Sequence, residues 1–312
     1  MHASEYKSFI RQRAHELGFA YVGIAAARRL DAEATQLQDW LQRGFHGKMA
    51  YMANYFDLRT DPQQLVPGAK SVISLVFNYF PKGRPLHANA PRIARYAYGE
   101  DYHKVLRRKL KSLLRDIREE IGDVQGRCFV DSAPVMERQW ASLAGAGWLG
   151  KNTLLIRPRE GSYFFLSEII LDLDLEPDTP IGDFCGTCTR CIDACPTQAI
   201  APQGYLLDAS RCISYLTIEL HAAIPDEFLG RMENWIFGCD ICQEVCPWNR
   251  FARPHDEPAF RPAEGLLELS RRDWLEMTEE VFGRVLGHTA AQRVKFAGLR
   301  RNLDFVAGDE QV

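Results

Sequence analysis

Apolar residues recur along the first half of the chain at two periods. Over residues 4–17 they fall at Phe9, Ile10, Ala14 and Leu17, one face of a helix that Gly18 stops. Phe19 to Ala27 and Ser71 to Tyr79 are short, nearly continuous apolar runs and predict buried strands, while Asp31 to Arg43 predicts a helix closed by Gly44. Asp101 to Ile121 predicts a long amphipathic helix with a basic outer face, Arg127 to Val130 a short strand, and Pro134 to Ala144 a helix with proline in its first turn. Two further strands are expected at Thr153 to Ile156 and Tyr163 to Leu173, joined as a hairpin through Pro158-Arg159-Glu160-Gly161. The pattern is that of a sheet carrying helices, an α+β or α/β unit.

The pattern changes at Glu176-Pro177-Asp178-Thr179-Pro180-Ile181-Gly182, after which cysteine appears every few residues. Three segments are therefore expected: an α/β domain over 1–176, a cysteine-rich domain over 177–260, and a charged helical segment over 261–312.

With 312 residues, 46% of them hydrophobic and 25% charged, the chain can bury a sizeable core. Its net charge of -3 argues against a generally basic coat, so any polyanion must be met by local patches. Met1 to Lys7 lacks the apolar core of a secretory signal, and no later stretch is long and uncharged enough to span a bilayer. The expected location is the cytoplasm, without membrane contact. In that reducing compartment clustered cysteines read as thiolate ligands rather than disulfides.

Eight of the nine cysteines fall into two related runs. Cys185-x2-Cys188-x2-Cys191-x3-Cys195-Pro196 has the spacing by which bacterial ferredoxins hold [4Fe-4S] clusters, three thiolates wrapping one cluster and the fourth reaching the other. A stretched copy follows, with Cys212 well upstream of Cys239-x2-Cys242-x3-Cys246-Pro247. Under that crossover rule Cys185, Cys188, Cys191 and Cys246 serve one cluster, and Cys195, Cys212, Cys239 and Cys242 the other. The alternative is a pair of four-cysteine zinc sites, which do not call for the doubled run with its trailing proline. Cys128 stands apart in a strand and reads as a small buried hydrophobe.

Two near-motifs carry less. Gly145 to Asn152 almost spells a P-loop, but an amide replaces the hydroxyl after Lys151, and a helix precedes the loop where a strand should. It reads as a helix-to-strand turn whose lysine and backbone N–H groups are still able to meet a phosphate of another kind. Asp101-Tyr102-His103-Lys104-Val105-Leu106 approaches the D-x-H-x-x-G element of some cobalt-ligating proteins but lacks the glycine and lies on a helix, so His103 is expected to be a solvated or satisfied helical histidine.

The ordered set Arg95-Tyr96-Ala97-Tyr98-Gly99-Glu100-Asp101-Tyr102-His103, Val130-Asp131-Ser132-Ala133-Pro134, Gly147-Trp148-Leu149-Gly150-Lys151-Asn152 and Cys212-Ile213-Ser214-Tyr215-Leu216-Thr217-Ile218-Glu219, with the double cysteine run, resembles the epoxyqueuosine reductases. The resemblance covers most of the chain. It implies a nitroreductase-like domain holding base-off cobalamin, a ferredoxin-like domain with two [4Fe-4S] clusters and a short helical C-terminus. It implies reduction of the epoxide of epoxyqueuosine to queuosine at the anticodon wobble position of tRNA, by a cytoplasmic monomer fed from a ferredoxin or flavodoxin. Cob(I)alamin would be the reductant.

The same resemblance makes Asp131 the proton donor. To be protonated at pH 7 its carboxyl would need a pKa raised by an apolar pocket, and the competing role is capping the helix that follows. For the cobalamin pocket it offers Arg59, Tyr98, Asp131, Lys151, Asn152 and Ser162, with Ser214 and Asp240 on the cysteine side; each also has an ordinary structural role open to it. Charge for tRNA is available from Arg107, Arg108, Lys109 and Lys111, and from Arg293, Lys295, Arg300 and Arg301, all of which also fit solvated helix faces. Some relatives continue into helical repeats beyond the point where this chain stops. Two other functions compete: a related cobalamin and iron-sulfur reductase of a small substrate, such as a reductive dehalogenase, and a ferredoxin-type electron carrier, for which the α/β domain is superfluous.

Overall fold

The computed structural model describes residues 3–308. Residues 1 and 2, the start of the segment read for a signal, lie outside the described residues. The central sheet is built from β1 (Tyr21–Ala26), β2 (Ser71–Asn78), β4 (Gly126–Phe129) and β7 (Phe164–Leu171), in the order β1-β2-β7-β4 and antiparallel throughout, so the class is α+β. Strands β2 and β7 read as continuous apolar runs because both faces of the sheet are covered. On one face Ile73, Leu75, Phe77, Phe165 and Ile169 pack against the helices Ala3–Glu16 and Tyr102–Ile121. On the other, Val72 and Ile170 meet Trp140 of the helix Glu137–Leu143. Gly23 of β1 is a close approach of that helix's end: a Cβ there would collide with the Ala144 carbonyl.

Two expectations change. The turn at 158–161 forms, with Arg157 and Gly161 bridged, but the strands flanking it do not pair as a hairpin. Instead β6 (Leu155–Ile156) pairs with β5 (Trp148–Leu149), and β7 is taken up by the central sheet. The helix after Asp131 starts at Glu137 rather than Pro134, because residues 131–136 are spent on tight turns, Ser132 N–H to Val130 O and Val135 N–H to Ala133 O.

The cysteine runs and the C-terminal helices share a second core. In it β8 (Trp235–Phe237) pairs in parallel with the two-residue β3 (Arg92–Ile93), and Ala90, Ile93, Ala94, Ala97 and Tyr98 pack among Ile213, Leu216, Trp274 and Leu303. The segment 90–98 thus packs with residues more than a hundred positions further along the chain. Asn302, fully buried on the helix Lys295–Gly308, donates to Thr217 O and Ile236 O, each at 2.8 Å, and ties that helix to the core.

Asn302→Leu is expected to leave both carbonyls unpaired and to lower unfolding free energy by about 2–4 kcal/mol, measured as a fall in the urea midpoint at unchanged m.

Candidate active site

Cys185, Cys188, Cys191 and Cys246 line one cavity of about 220 Å³ with Phe184, Trp248 and Arg250. The other four form a second neighbourhood, in which Cys212 faces Cys195, Cys239 faces Cys212 and Cys242, and Cys242 faces Cys212 and Cys195. The fourth cysteine of each run therefore lies with the first three of the other. Cys242 also faces Cys191, so the two groups adjoin. None of the eight is in a disulfide. Burial, and then neighbouring Cys185 and Cys246, push the Cys191 thiol up to about 11, and burial raises Cys239 and Cys242 as well.

Thiols so placed ionise together only around a cationic centre, so the donor set fits metal. Among the described residues no three His, Cys, Asp or Glu side chains close on a single-ion site. The first four thiols instead surround open space, as a multi-iron cluster needs. Trp148 Nε1–H points at Cys185 Sγ (3.5 Å) and the Ala199 N–H at Cys195 Sγ (3.3 Å), donors of the type that tune cluster potentials.

The P-loop-like turn closes over the first group. Lys151 Nζ donates to the carbonyls of Gly186 (2.7 Å) and Cys188 (3.1 Å), so its charge fixes the cysteine loop. Gly204 lies against the Lys151 stem with φ +78°, and a side chain there would displace it.

Asp131 lies near the start of the loop that follows β4 with φ +52°, a left-handed conformation unusual for a non-glycine residue. Its side chain is 44% exposed. Oδ2 accepts from Tyr102 Oη (2.7 Å) and meets His103 Nε2 (3.0 Å), while His103 Nδ1 faces Asp101 Oδ1 (2.7 Å). Asp101 caps the long helix by accepting the His103 N–H, which sets Tyr102 and His103 on its first turn. Burial alone would lower the His103 pKa, but hydrogen bonds to the two carboxylates outweigh it and carry it up to about 9. For Asp131 the expectation reverses. Burial works to raise its pKa, yet the bonds from His103 and Tyr102 win and hold it below the usual carboxylate value. The proton at neutral pH sits on His103, in contact with Asp131. Asp131 is not a helix cap, since the helix Glu137–Leu143 has no side-chain cap.

The other expected contacts are dispersed. Asn152 is buried at the first cysteine cavity with Nδ2 unpartnered, and Arg59 donates from Nη2 to Tyr51 O while its buried Nε has no partner. Tyr98 is buried in the second core. Ser162 accepts from Gln243 Nε2 (3.1 Å) and Asn249 Nδ2 (3.0 Å). Asp240, fully buried, accepts from the backbone and guanidinium of Arg95. Ser214 lies half-buried, its backbone N–H on Cys212. Among the basic residues, Lys109 pairs with Glu257, Arg301 holds the Leu220 and Ala222 carbonyls, and Arg293 pairs with Glu219, whereas Arg107 and Lys111 are exposed.

The family described as epoxyqueuosine reductase QueG, DUF1730, matches residues 59–132, and the 4Fe-4S double cluster binding domain matches residues 184–249. Epoxyqueuosine reductase of Cyclobacterium marinum is 57% identical over 307 residues, covering 98% of both chains. The chain belongs to the epoxyqueuosine reductase family. It is an oxidoreductase. Epoxyqueuosine reductase of Pseudomonas aeruginosa is 44% identical, covering 94% of this chain and 81% of that protein. A solved epoxyqueuosine reductase with a tRNA-Tyr epoxyqueuosine-modified stem loop superposes with a TM-score of 0.88 at 30% identity, covering 99% of this chain and 82% of that one. The Streptococcus thermophilus epoxyqueuosine reductase structure gives 0.86 at 29% identity, covering 98% and 82%.

Several further residues surround Asp131. Tyr51, 46% exposed, is within electrostatic reach of it, as is Arg293, expected from the sequence only as charge for tRNA, and Arg138 faces both Glu137 and Cys212. Glu137 accepts the Asp131 N–H at 2.5 Å, and Glu168 is fully buried in β7. The one available signal was Glu168, an acid inside the apolar run Phe164 to Leu171.

His103 is expected to titrate near 9 by NMR, and Asp101→Asn to move the midpoint down toward 6.5. Because the folded pKa lies above the unfolded one, its contribution to stability is complete below about 6.5 and is lost as pH rises through about 9. A midpoint at or below 6.5 in the parent protein would contradict the arrangement.

Proposed function

We propose that the chain reduces epoxyqueuosine to queuosine in tRNA, with Asp131 and His103 supplying a proton and the two cysteine groups holding [4Fe-4S] clusters that deliver electrons. The observation that carries this reading is the Asp131 carboxylate, partly open to solvent and within hydrogen-bond distance of His103 Nε2 and Tyr102 Oη. Family membership supports the substrate, as does the relative solved with a modified tRNA stem loop.

Converting the epoxide to an alkene takes two electrons and two protons and releases water. Bound cobalamin would supply the strongly reducing centre for it. The unpartnered buried Arg59 Nε and Asn152 Nδ2 are donors that a ligand rich in amides would satisfy, and Tyr98, Lys151, Ser162, Ser214 and Asp240 are further residues to hold it. The chain's own part is proton control. His103 Nε2–H lies against Asp131 Oδ2, so a proton passed to Asp131 can go on to the departing oxygen, while Asp101 stabilises the imidazolium from behind. Tyr51 offers an exposed ring beside Asp131 on which a splayed anticodon base can stack, and Arg107, Arg108 and Lys111 offer charge to phosphate.

Electrons would enter at the Cys185 group, whose cavity is rimmed by the 55%-exposed Phe184 and by Arg190 and Arg250, features suited to an acidic ferredoxin or flavodoxin. They would leave through the Cys212 group, which adjoins Asp131 by way of Arg138. Among the described residues no helix is long and apolar enough to cross a membrane. The cytoplasm, where tRNA is modified, is the compartment we propose.

The test is anaerobic reconstitution with iron, sulfide and cobalamin, followed by mass spectrometry of an epoxyqueuosine stem loop. Loss of one oxygen is expected from the parent protein, with the rate falling as pH rises through about 9. Asp131→Asn is expected to keep both clusters and cobalamin while losing epoxide reduction. Full turnover by that variant would remove the assignment.

A further inference from the structure

Behind Asp131 lies an acid that the reaction just described does not use. Glu168 stands in the middle of β7, in register with Ser74 on β2 and Phe129 on β4. By strand alternation it points to the face shared with Ile170, which the helix Glu137–Leu143 covers. It is fully buried, and neither carboxyl oxygen has a hydrogen bond of regular geometry; the Oγ of Ser74 beside it is also unpartnered. The group it faces is the carboxyl of Glu137, the first residue of that helix.

Stability does not account for this acid. Leucine at 168 would extend the apolar run of Ile169, Ile170 and Leu171 and would remove the burden of a carboxyl in a sheet interior. What the acid touches is the support of the catalytic loop. Glu137 Oε1 accepts the N–H of Asp131 at 2.5 Å, and Asp131 is the residue held in the left-handed region.

We propose that Glu137 and Glu168 form a positioning pair: the Glu168 O–H is donated to one oxygen of Glu137, fixing the other on the Asp131 N–H, so that the Asp131 carboxylate stays aimed at His103. This deepens the reading of Asp131 as proton donor and rests on it. Burial, and then the charge of Asp131 for Glu137 and of Glu137 for Glu168, push both carboxyls up, Glu137 to about 8, so the proton the contact needs is present at neutral pH. The charged and titratable groups facing the pair are Asp131 from the loop, His103 and Tyr102 from the long helix, and Arg138 from the helix that Glu137 begins.

The test compares Glu168→Leu with Glu168→Gln in the full chain. Glu168→Leu is expected to unfold at the same or a higher urea concentration, to keep KM, and to lose on the order of a hundredfold in kcat. Its His103 midpoint, followed by NMR without substrate or cobalamin, should fall from about 9 as Asp131 moves off. Glu168→Gln can still donate an N–H to Glu137 and should keep the parent kcat and midpoint. A folded Glu168→Leu with parental kcat and an unmoved His103 would overturn the proposal. If Glu168→Leu does not fold, Glu137→Ala at the half-buried helix start decides: a lowered His103 midpoint supports the pair, and an unmoved one overturns it. Normal turnover by Asp131→Asn would instead remove the donor role of Asp131 and leave the His103 readout of the pair intact.

Discussion

Thiols that face one another within a protein resist ionising together, and the organisation of this chain follows from having to gather eight of them in two adjoining groups. Each group takes three cysteines from one run and one from the other, so residues 185–195 must fold against residues 212–246. The fold supplies several ties for that. Lys151 pins the first loop through two carbonyls, and Asp240 is locked by Arg95. Gln243 and Asn249 converge on Ser162. All of these ties cross from the cysteine region to residues that precede it, 151, 95 and 162, which holds the thiols in a fixed relation to the central sheet.

In the proposed function that relation would bring electron transfer and proton transfer to the same place. Arg138 faces Cys212 on one side and Glu137 on the other, and Glu137 holds the backbone of Asp131. There the proton would be stored away from the residue that uses it. His103, between two carboxylates, is charged across neutral pH, and Asp131 stays ionised beside it until a proton is drawn through. In the proposed function a raised carboxyl pKa at Asp131 would therefore not be required for acid catalysis; a histidine in hydrogen-bond contact would serve instead.

What was legible in the sequence was whatever depends on local spacing. The apolar runs at 71–79 and 163–173 gave both central strands, and the cysteine intervals gave the two runs and their crossing. Features decided by distant partners were hidden. β5 and β6 are two residues each, too short for any period to mark, so the pattern points β6 to β7 where the fold pairs it with β5. The start at Glu137 depends on two tight turns around a left-handed aspartate. The protonation of Asp131 depends on a histidine 28 positions upstream whose own environment is set by Asp101. A lone acid in an apolar strand was visible throughout, but its meaning needed the register of β7 and the helix that covers it.

The crossing of the two cysteine runs is the claim on which the electron path stands, and Mössbauer spectroscopy of two variants tests it most directly. Cys246→Ala should disturb the cluster held by Cys185, Cys188 and Cys191 and leave the other with its parental spectrum. Cys212→Ala should do the reverse. Loss of the same cluster in both variants would contradict the crossing and the path built on it.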